Sequence, residues 1–190
     1  MKSAAFGWTA VLAAMSIVAC ERKSDLTDPG APGVVATEAP LCRGQVATIY
    51  PGAPTLPAGA NVTAKSGGGF TIHGTDGADV IVGSNANDSI NARGGHDVVC
   101  ALDGNDFVNG GSGNDLIEGG DGNDKLDGDP GNDDIEGGAG NDILIGTFGD
   151  DSMRGGPGDD NLNGGPDTDN ANGGPGTDTC SAETKTGCEG

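Results

Sequence analysis

The 190-residue chain is expected to be an all-β repeat protein, and three observations predict it. From Gly74 to Ser181 the sequence repeats every nine residues without an insertion, twelve units in all, and a fixed short period marks a structure built by stacking one small unit on the next. Each unit joins a glycine-rich stretch to three residues with an apolar centre, the alternation of a short strand. Glycine supplies 38 residues and aromatics only 3%, so an ordinary two-layer core would be hard to fill.

Asp and Glu outnumber Lys and Arg by 29 to 9, for a formal charge of −20, which makes nucleic acid a poor partner. So much glycine and negative charge would signal disorder in an aperiodic chain.

In chain order, residues 1–19 read as a signal peptide. Lys2 precedes an apolar run from Ala4 to Ala19, broken only by Gly7, Thr9 and Ser16 and short of the roughly 20 residues a spanning helix needs. The run ends Ile17-Val18-Ala19-Cys20, which resembles a bacterial lipobox and implies a lipidated Cys20 as the new N-terminus. Ordinary signal-peptidase cleavage nearby is the alternative, and both export the protein. Loss of residues 1–19 removes Lys2 and takes the charge to −21. Residues 20–40 carry Pro, Ala, Thr and charge without apolar periodicity, as a flexible tether does. Residues 41–73 are expected to form an N-terminal cap segment, residues 74–181 the repeat domain and residues 182–190 a C-terminal cap.

Representative units read Gly110-Gly-Ser-Gly-Asn-Asp-Leu-Ile-Glu118 and Gly119-Gly-Asp-Gly-Asn-Asp-Lys-Leu-Asp127. The sixth position is aspartate throughout: Asp79, Asp88, Asp97, Asp106, Asp115, Asp124, Asp133, Asp142, Asp151, Asp160, Asp169 and Asp178. The eighth runs Ile81, Ile90, Val99, Val108, Ile117, Leu126, Ile135, Leu144, Met153, Leu162, Ala171 and Cys180. This resembles the nonapeptide of the RTX, or haemolysin-type calcium-binding, family over 108 of the 190 residues. The resemblance implies a right-handed parallel β-roll, a β-solenoid of about six coils, with two nonapeptides to a coil and each supplying a calcium-binding turn and a short strand.

Elementary physics agrees. Glycines at the first, second and fourth positions admit positive φ and close backbone approach. A three-residue strand follows, with the eighth position inward and the seventh and ninth outward. One inward residue per strand makes a core too thin to offset the ordering of 108 residues. A bound cation supplies what is missing, and calcium, a hard cation, takes six to eight oxygens. The aspartate of one repeat falls beside that of the repeat two further on, where unpaired charges would repel. The resemblance implies that both carboxylates enclose an ion together with turn carbonyls, here those of Gly74, Gly77, Gly110, Gly111, Gly113, Gly119, Gly120, Gly122, Gly128, Gly131, Gly137, Gly138, Gly140, Gly146 and Gly149. Twelve repeats make up to about ten Ca2+ sites, whose charge nearly cancels that of the processed chain. Sites are expected to be weaker where Ala86, Arg93, Leu102 or Asp167 interrupts the pattern and tightest from Gly110 to Gly149. His73 and His96 read as surface histidines.

Both ends of such a stack need covers. Lys65 to His73 is one more nonapeptide in register, with Phe70 in place of aspartate and Ile72 inward, a metal-free capping turn. Ala182 to Gly190 is expected to be another, with Gly187 in place of aspartate and Cys188 as its inward residue. Cys42, Cys100, Cys180 and Cys188 are an even number in an exported chain, with three possible pairings or four free thiols. Cys180 and Cys188 are expected to face each other across the roll interior. Cys100 points outward beside a stripe of Val80, Val98 and Leu116. The segment from Leu41 to Tyr50 is expected to cover that stripe through a Cys42–Cys100 bond.

No Gly-x-Ser-x-Gly, His-Glu-x-x-His or phosphate loop occurs, and the roughly thirty residues between tether and repeats leave no room for a catalytic domain. The reading is a non-enzymatic calcium-binding protein, at the cell surface or outer membrane as a lipoprotein or extracellular, that touches a membrane through its lipid anchor only and folds on meeting calcium. The alternative is a calcium-dependent adhesin or matrix protein holding a surface or polysaccharide partner. An outward ladder suited to ice or crystals is too short at Asn163, Asn172 and Ser181.

Overall fold

A computed structural model of the chain describes residues 41–53, 57–66 and 68–188. The expected signal peptide, tether and Cys20 lie outside the described residues. Two hairpins come first, β1 (Leu41–Cys42) with β2 (Gln45–Val46), and β3 (Asn61–Ala64) with β4 (Phe70–His73). The repeats follow as β5 (Val80–Val82), β6 (Ser89–Asn91), β7 (Val98–Asp103), β8 (Phe107–Asn109), β9 (Leu116–Asp121), β10 (Lys125–Pro130), β11 (Asp134–Ala139) and β12 (Ile143–Phe148). Shorter strands close the chain: β13 (Ser152–Arg154), β14 (Asn161–Asn163), β15 (Asn170–Asn172), β16 (Thr179–Ser181) and β17 (Thr184–Thr186).

Odd-numbered strands from β5 to β17 form one sheet and even-numbered strands from β4 to β16 the other. Each repeat strand pairs in parallel with the strand eighteen residues away, as Leu126 does with Val108 on one side and Leu144 on the other. Two nonapeptides therefore make one coil, and the molecule is a parallel β-solenoid of about six coils. The eighth positions stack between the sheets, from Ile72 and Ile81 through to Ala171 and Cys180, all at 4% exposure or less.

The strands depart from expectation in two ways. Five of them are six residues long and run on into the next unit. They therefore have two inward positions, the eighth of one unit and the first of the next. The first position is buried in all twelve units. Its glycines are absent from the positive-φ residues, so lack of a side chain selects them, not backbone freedom. A Cβ on Gly110 would lie 2.6 Å from Oδ2 of Asp115 and 3.1 Å from Cδ1 of Ile117. Positive φ belongs to the second position, as at Gly111 and Gly120, and to fourth-position glycines such as Gly113 and Gly122. Arg93, Leu102, Asp129 and Thr147 adopt it at the second position without being glycine. Asp129 and Thr147 fall inside the block from Gly110 to Gly149, so that block is less uniform than its glycines suggest.

The N-terminal end is closed twice. β4 extends the even sheet in register, Ile72 beside Ile90, and β3 pairs antiparallel along its outer edge. Lys65 to His73 thus enters the roll through β4 in register with the repeats, while the covering strand β3 has no counterpart in the repeat. On the odd sheet, Ile49 bridges to Ile81 and caps the inward column. The segment around it lies over the outer face of that sheet as expected: Cys42, Ala47 and Tyr50 pack with Val82, Val98 and Cys100, against partly buried Val80 and Leu116. A Cys42–Cys100 disulfide joins the layers, Cα to Cα 5.8 Å. Beside it Arg43 donates to Glu118 at 2.9 Å and Glu136 at 2.8 Å.

The C-terminal disulfide is Cys180–Cys188, yet the route to it differs from expectation. Thr184 pairs with Asn170, fourteen residues back instead of eighteen, so Ala182 and Glu183 replace the usual six turn residues. The last coil is short by four, and Cys188, by count the seventh and not the inward eighth position of a thirteenth unit, reaches Cys180 after β17, beyond a left-handed Gly187.

Candidate metal centre

All twelve predicted aspartates, Asp79 to Asp178, are buried, with exposures of 0–4%. From the third unit on, left-handed second positions tighten the turns, and the carboxylate folds in over the first-position glycine of its own unit where one is present. Gly119, Gly137, Gly146 and Gly155 face Asp124, Asp142, Asp151 and Asp160 in this way. No Cβ fits between them.

Along each turn edge the aspartates form a ladder. The N–H of Asp79 donates to Oδ1 of Asp97 at 2.8 Å, that of Asp124 to Asp142 at 2.8 Å, and that of Asp160 to Asp178 at 2.9 Å. Each carboxylate from Asp97 to Asp178 thus lies against the main chain of the aspartate two repeats earlier, the juxtaposition expected of two nonapeptides to a coil.

The second carboxylate oxygen divides the rungs. In the ten aspartates from Asp97 to Asp178, Oδ2 is buried without a hydrogen-bond partner among the described residues. Asp79 and Asp88 differ because their units carry Thr75 and Ser84 at the second position. Thr75 donates to Oδ2 of Asp79 from its N–H at 2.7 Å and its hydroxyl at 2.8 Å. Ser84 does the same for Asp88 at 2.6 and 3.1 Å. In the capping turn, Phe70 donates its N–H to Asp88 at 2.5 Å, and the Lys65 ammonium donates to the Asn87 carbonyl at 3.0 Å, near the Asp88 charge.

The glycine carbonyls divide too. Gly119, Gly120, Gly128, Gly137, Gly138 and Gly146 fall inside the six-residue strands, and Gly74, Gly110 and Gly111 follow strand ends. Gly77 accepts the Thr75 hydroxyl at 3.1 Å. The fourth-position carbonyls of Gly113, Gly122, Gly131, Gly140 and Gly149 accept no hydrogen bond among the described residues.

Burial acts on these carboxylates first, and the neighbouring aspartates add to it. Asp106 is pushed up to about 8 by desolvation and by the charges of Asp124 and Asp88, against the opposing N–H of Asp88. Asp97, Asp133 and Asp142 are pushed to about 7, and Asp124 and Asp151 to about 6, with desolvation again the leading cause. A column of buried carboxylates this close cannot stay fully charged near neutrality without cations. Ten orphaned carboxylate oxygens and open turn carbonyls are an all-oxygen donor set suited to a hard divalent ion. Among the described residues no group of three or more His, Cys, Asp or Glu is placed to hold a metal. An ion here would complete its shell with main-chain oxygen and water.

A second, outer ladder was not anticipated. Fifth-position side chains accept the N–H of the fifth residue two repeats later: Asn87 from Asn105 at 2.9 Å, Asn105 from Asn123 at 2.9 Å, Asn123 from Asn141 at 2.8 Å and Asp159 from Thr177 at 2.9 Å. His96 fills one rung, its Nδ1 accepting from Asn114 at 2.7 Å. It is exposed as expected, yet it continues the ladder. The recurring Gly-Asn-Asp carried the signal, since Asn is also a common turn residue.

A family model described as the RTX calcium-binding nonapeptide repeat, in four copies, matches residues 73–108, 109–144 and 145–180. Comparison with curated proteins returned no match.

The raised carboxylates make the metal-free solenoid pH-dependent. Their folded values lie above the unfolded value near 3.8, so folding takes up protons. That contribution is full below the unfolded value and is lost as pH rises through about 6 to 8. In chelator, the β signal in circular dichroism should grow on acidification from pH 8 to pH 5. Calcium titrations should show a lower midpoint at pH 8 than at pH 5 and release protons. A metal-free β signal that does not change with pH would contradict this account.

Proposed function

The chain belongs to the family of RTX calcium-binding nonapeptide repeats, and from that premise we propose an exported, non-enzymatic protein whose solenoid folds as its turns fill with calcium. The single observation that carries this reading is the column of buried Oδ2 atoms from Asp97 to Asp178 without partners. Each is a desolvated anionic oxygen that a divalent cation would satisfy, and the count accords with up to about ten ions. Asp79 and Asp88, already satisfied by Thr75 and Ser84, contribute less. The fourth-position carbonyls are the glycine oxygens best placed to share the ions.

Without metal at neutral pH the chain should be expanded and lack β signal. Calcium in the external range, about 0.1–1 mM, should bring a steep transition to the compact form, because each coil stacks only on its neighbours. Asp124→Ala and Asp133→Ala should each raise the calcium midpoint by about threefold or more, and Asp88→Ala by less. A chain whose circular dichroism is the same in chelator and in saturating calcium at neutral pH would defeat the mechanism.

Export and anchoring rest on residues 1–20. Lipidated Cys20 would hold the solenoid to a membrane through a segment of about twenty residues. The processed protein should partition into detergent, and Cys20→Ser should release it or block its processing. A mature N-terminus at any other residue would remove the anchor and leave export standing.

One observation favours an adhesin role as a second reading. Phe107 and Ile143 are register neighbours of Lys125 on the outer face of the even sheet, and with Phe148 they are large apolar side chains exposed at 43–58%. Lys125 lies over the Phe107 ring at 5.3 Å. The calcium-loaded protein should then bind intact cells or their polysaccharide, and Phe107→Ser with Ile143→Ser should abolish that capture. Equal capture by wild type and variant would discard this face.

A further inference from the structure

We propose that Glu183 is a calcium ligand, the acid that closes the last site of the odd stack with Asp169. This deepens the calcium reading and rests on it. The sequence pattern ends with Asp178, because the next sixth position is Gly187. The structure replaces that missing acid by shortening the chain. With Thr184 beside Asn170, the two-residue turn carries Glu183 to the end of the aspartate column. There its Oε2 accepts the N–H of Asp169 at 2.9 Å, within the 2.7–3.0 Å spanned by the aspartate rungs. The extra methylene of glutamate makes up for the lost turn residues.

A further observation points to an ion here and not to a hydrogen-bonded cap alone. Asp169 is 1% exposed and keeps its own Oδ2 unpartnered among the described residues, like the eight rungs from Asp97 to Asp160 that face a full coil. The Cys180–Cys188 disulfide ties off the loop that presents Glu183, so its position does not depend on the ion. Glu183 itself is exposed, which makes this the most solvent-accessible of the sites and the last to fill. With it the carboxylate pairs rise from ten to eleven.

The test counts bound calcium by native mass spectrometry on the full, disulfide-bonded chain in saturating calcium, for wild type, Glu183→Gln and Glu183→Ala. Glutamine keeps an acceptor for the Asp169 N–H and removes the charge. The expected result is one ion fewer in both variants, with wild-type circular dichroism for Glu183→Gln. Equal counts in wild type and Glu183→Gln would overturn the inference and leave calcium binding intact. A wild type that binds no calcium would overturn the underlying reading together with it. Should Glu183→Gln fail to fold, carbodiimide coupling of the loaded wild-type chain decides. Glu183 labelled as slowly as Asp160 supports ligation, and Glu183 labelled as fast as exposed Asp134 refutes it.

Discussion

Burial of one carboxylate per turn is the constraint on which the solenoid depends. From Asp88 onward each aspartate gives one oxygen to the main chain of the coil before it, and from Asp97 onward holds the other in a dry position, unpartnered among the described residues. The hydrogen bond fixes the stacking register of the turns. The orphaned oxygen makes that register unfavourable until a proton or a cation arrives. On the proposed function, stability and ion occupancy are one quantity in this fold, since an unfolded chain offers no assembled site.

The other features follow from holding that carboxylate in place. First-position glycines are buried because the aspartate fills the space a side chain would need. The second position twists into the left-handed region to turn the chain, and four non-glycine residues are held there by the stack around them. The outer Asn ladder secures the far side of the same turn. Where the acid has local partners, at Asp79 and Asp88, the units lie next to the N-terminal capping turn, so the column of unpartnered oxygens begins only once the stack is under way.

Much of this was legible because a strict period converts sequence spacing into spatial neighbourhood. The inward column from Ile81 to Cys180 follows from counting positions, eighteen-residue pairing and the aspartate column from the family resemblance with two nonapeptides to a coil, and the cover held by Cys42–Cys100 from the outward place of Cys100 beside an apolar stripe. What escaped was whatever breaks the period or looks ordinary within it. Strand β3 joins the even sheet through a local antiparallel turn that no repeat encodes. Glu183 is hidden by a four-residue shortening, which moves it out of the register where an acid would be sought. First-position glycine reads as a turn residue until its burial shows that it lines the interior.

The clasp formed by Arg43 and the Cys42–Cys100 bond sets where mechanical load would enter the molecule. Force drawn through the residues before Leu41 reaches Cys42 and passes by a covalent bond to the third repeat, bypassing the first strands of both sheets. Arg43 spreads part of it to Glu118 and Glu136, in the fifth and seventh repeats. Neighbouring odd strands β7, β9 and β11 thus share the load, and the terminal coil is not peeled off first. Reducing that one bond would convert a shear geometry into an unzipping one.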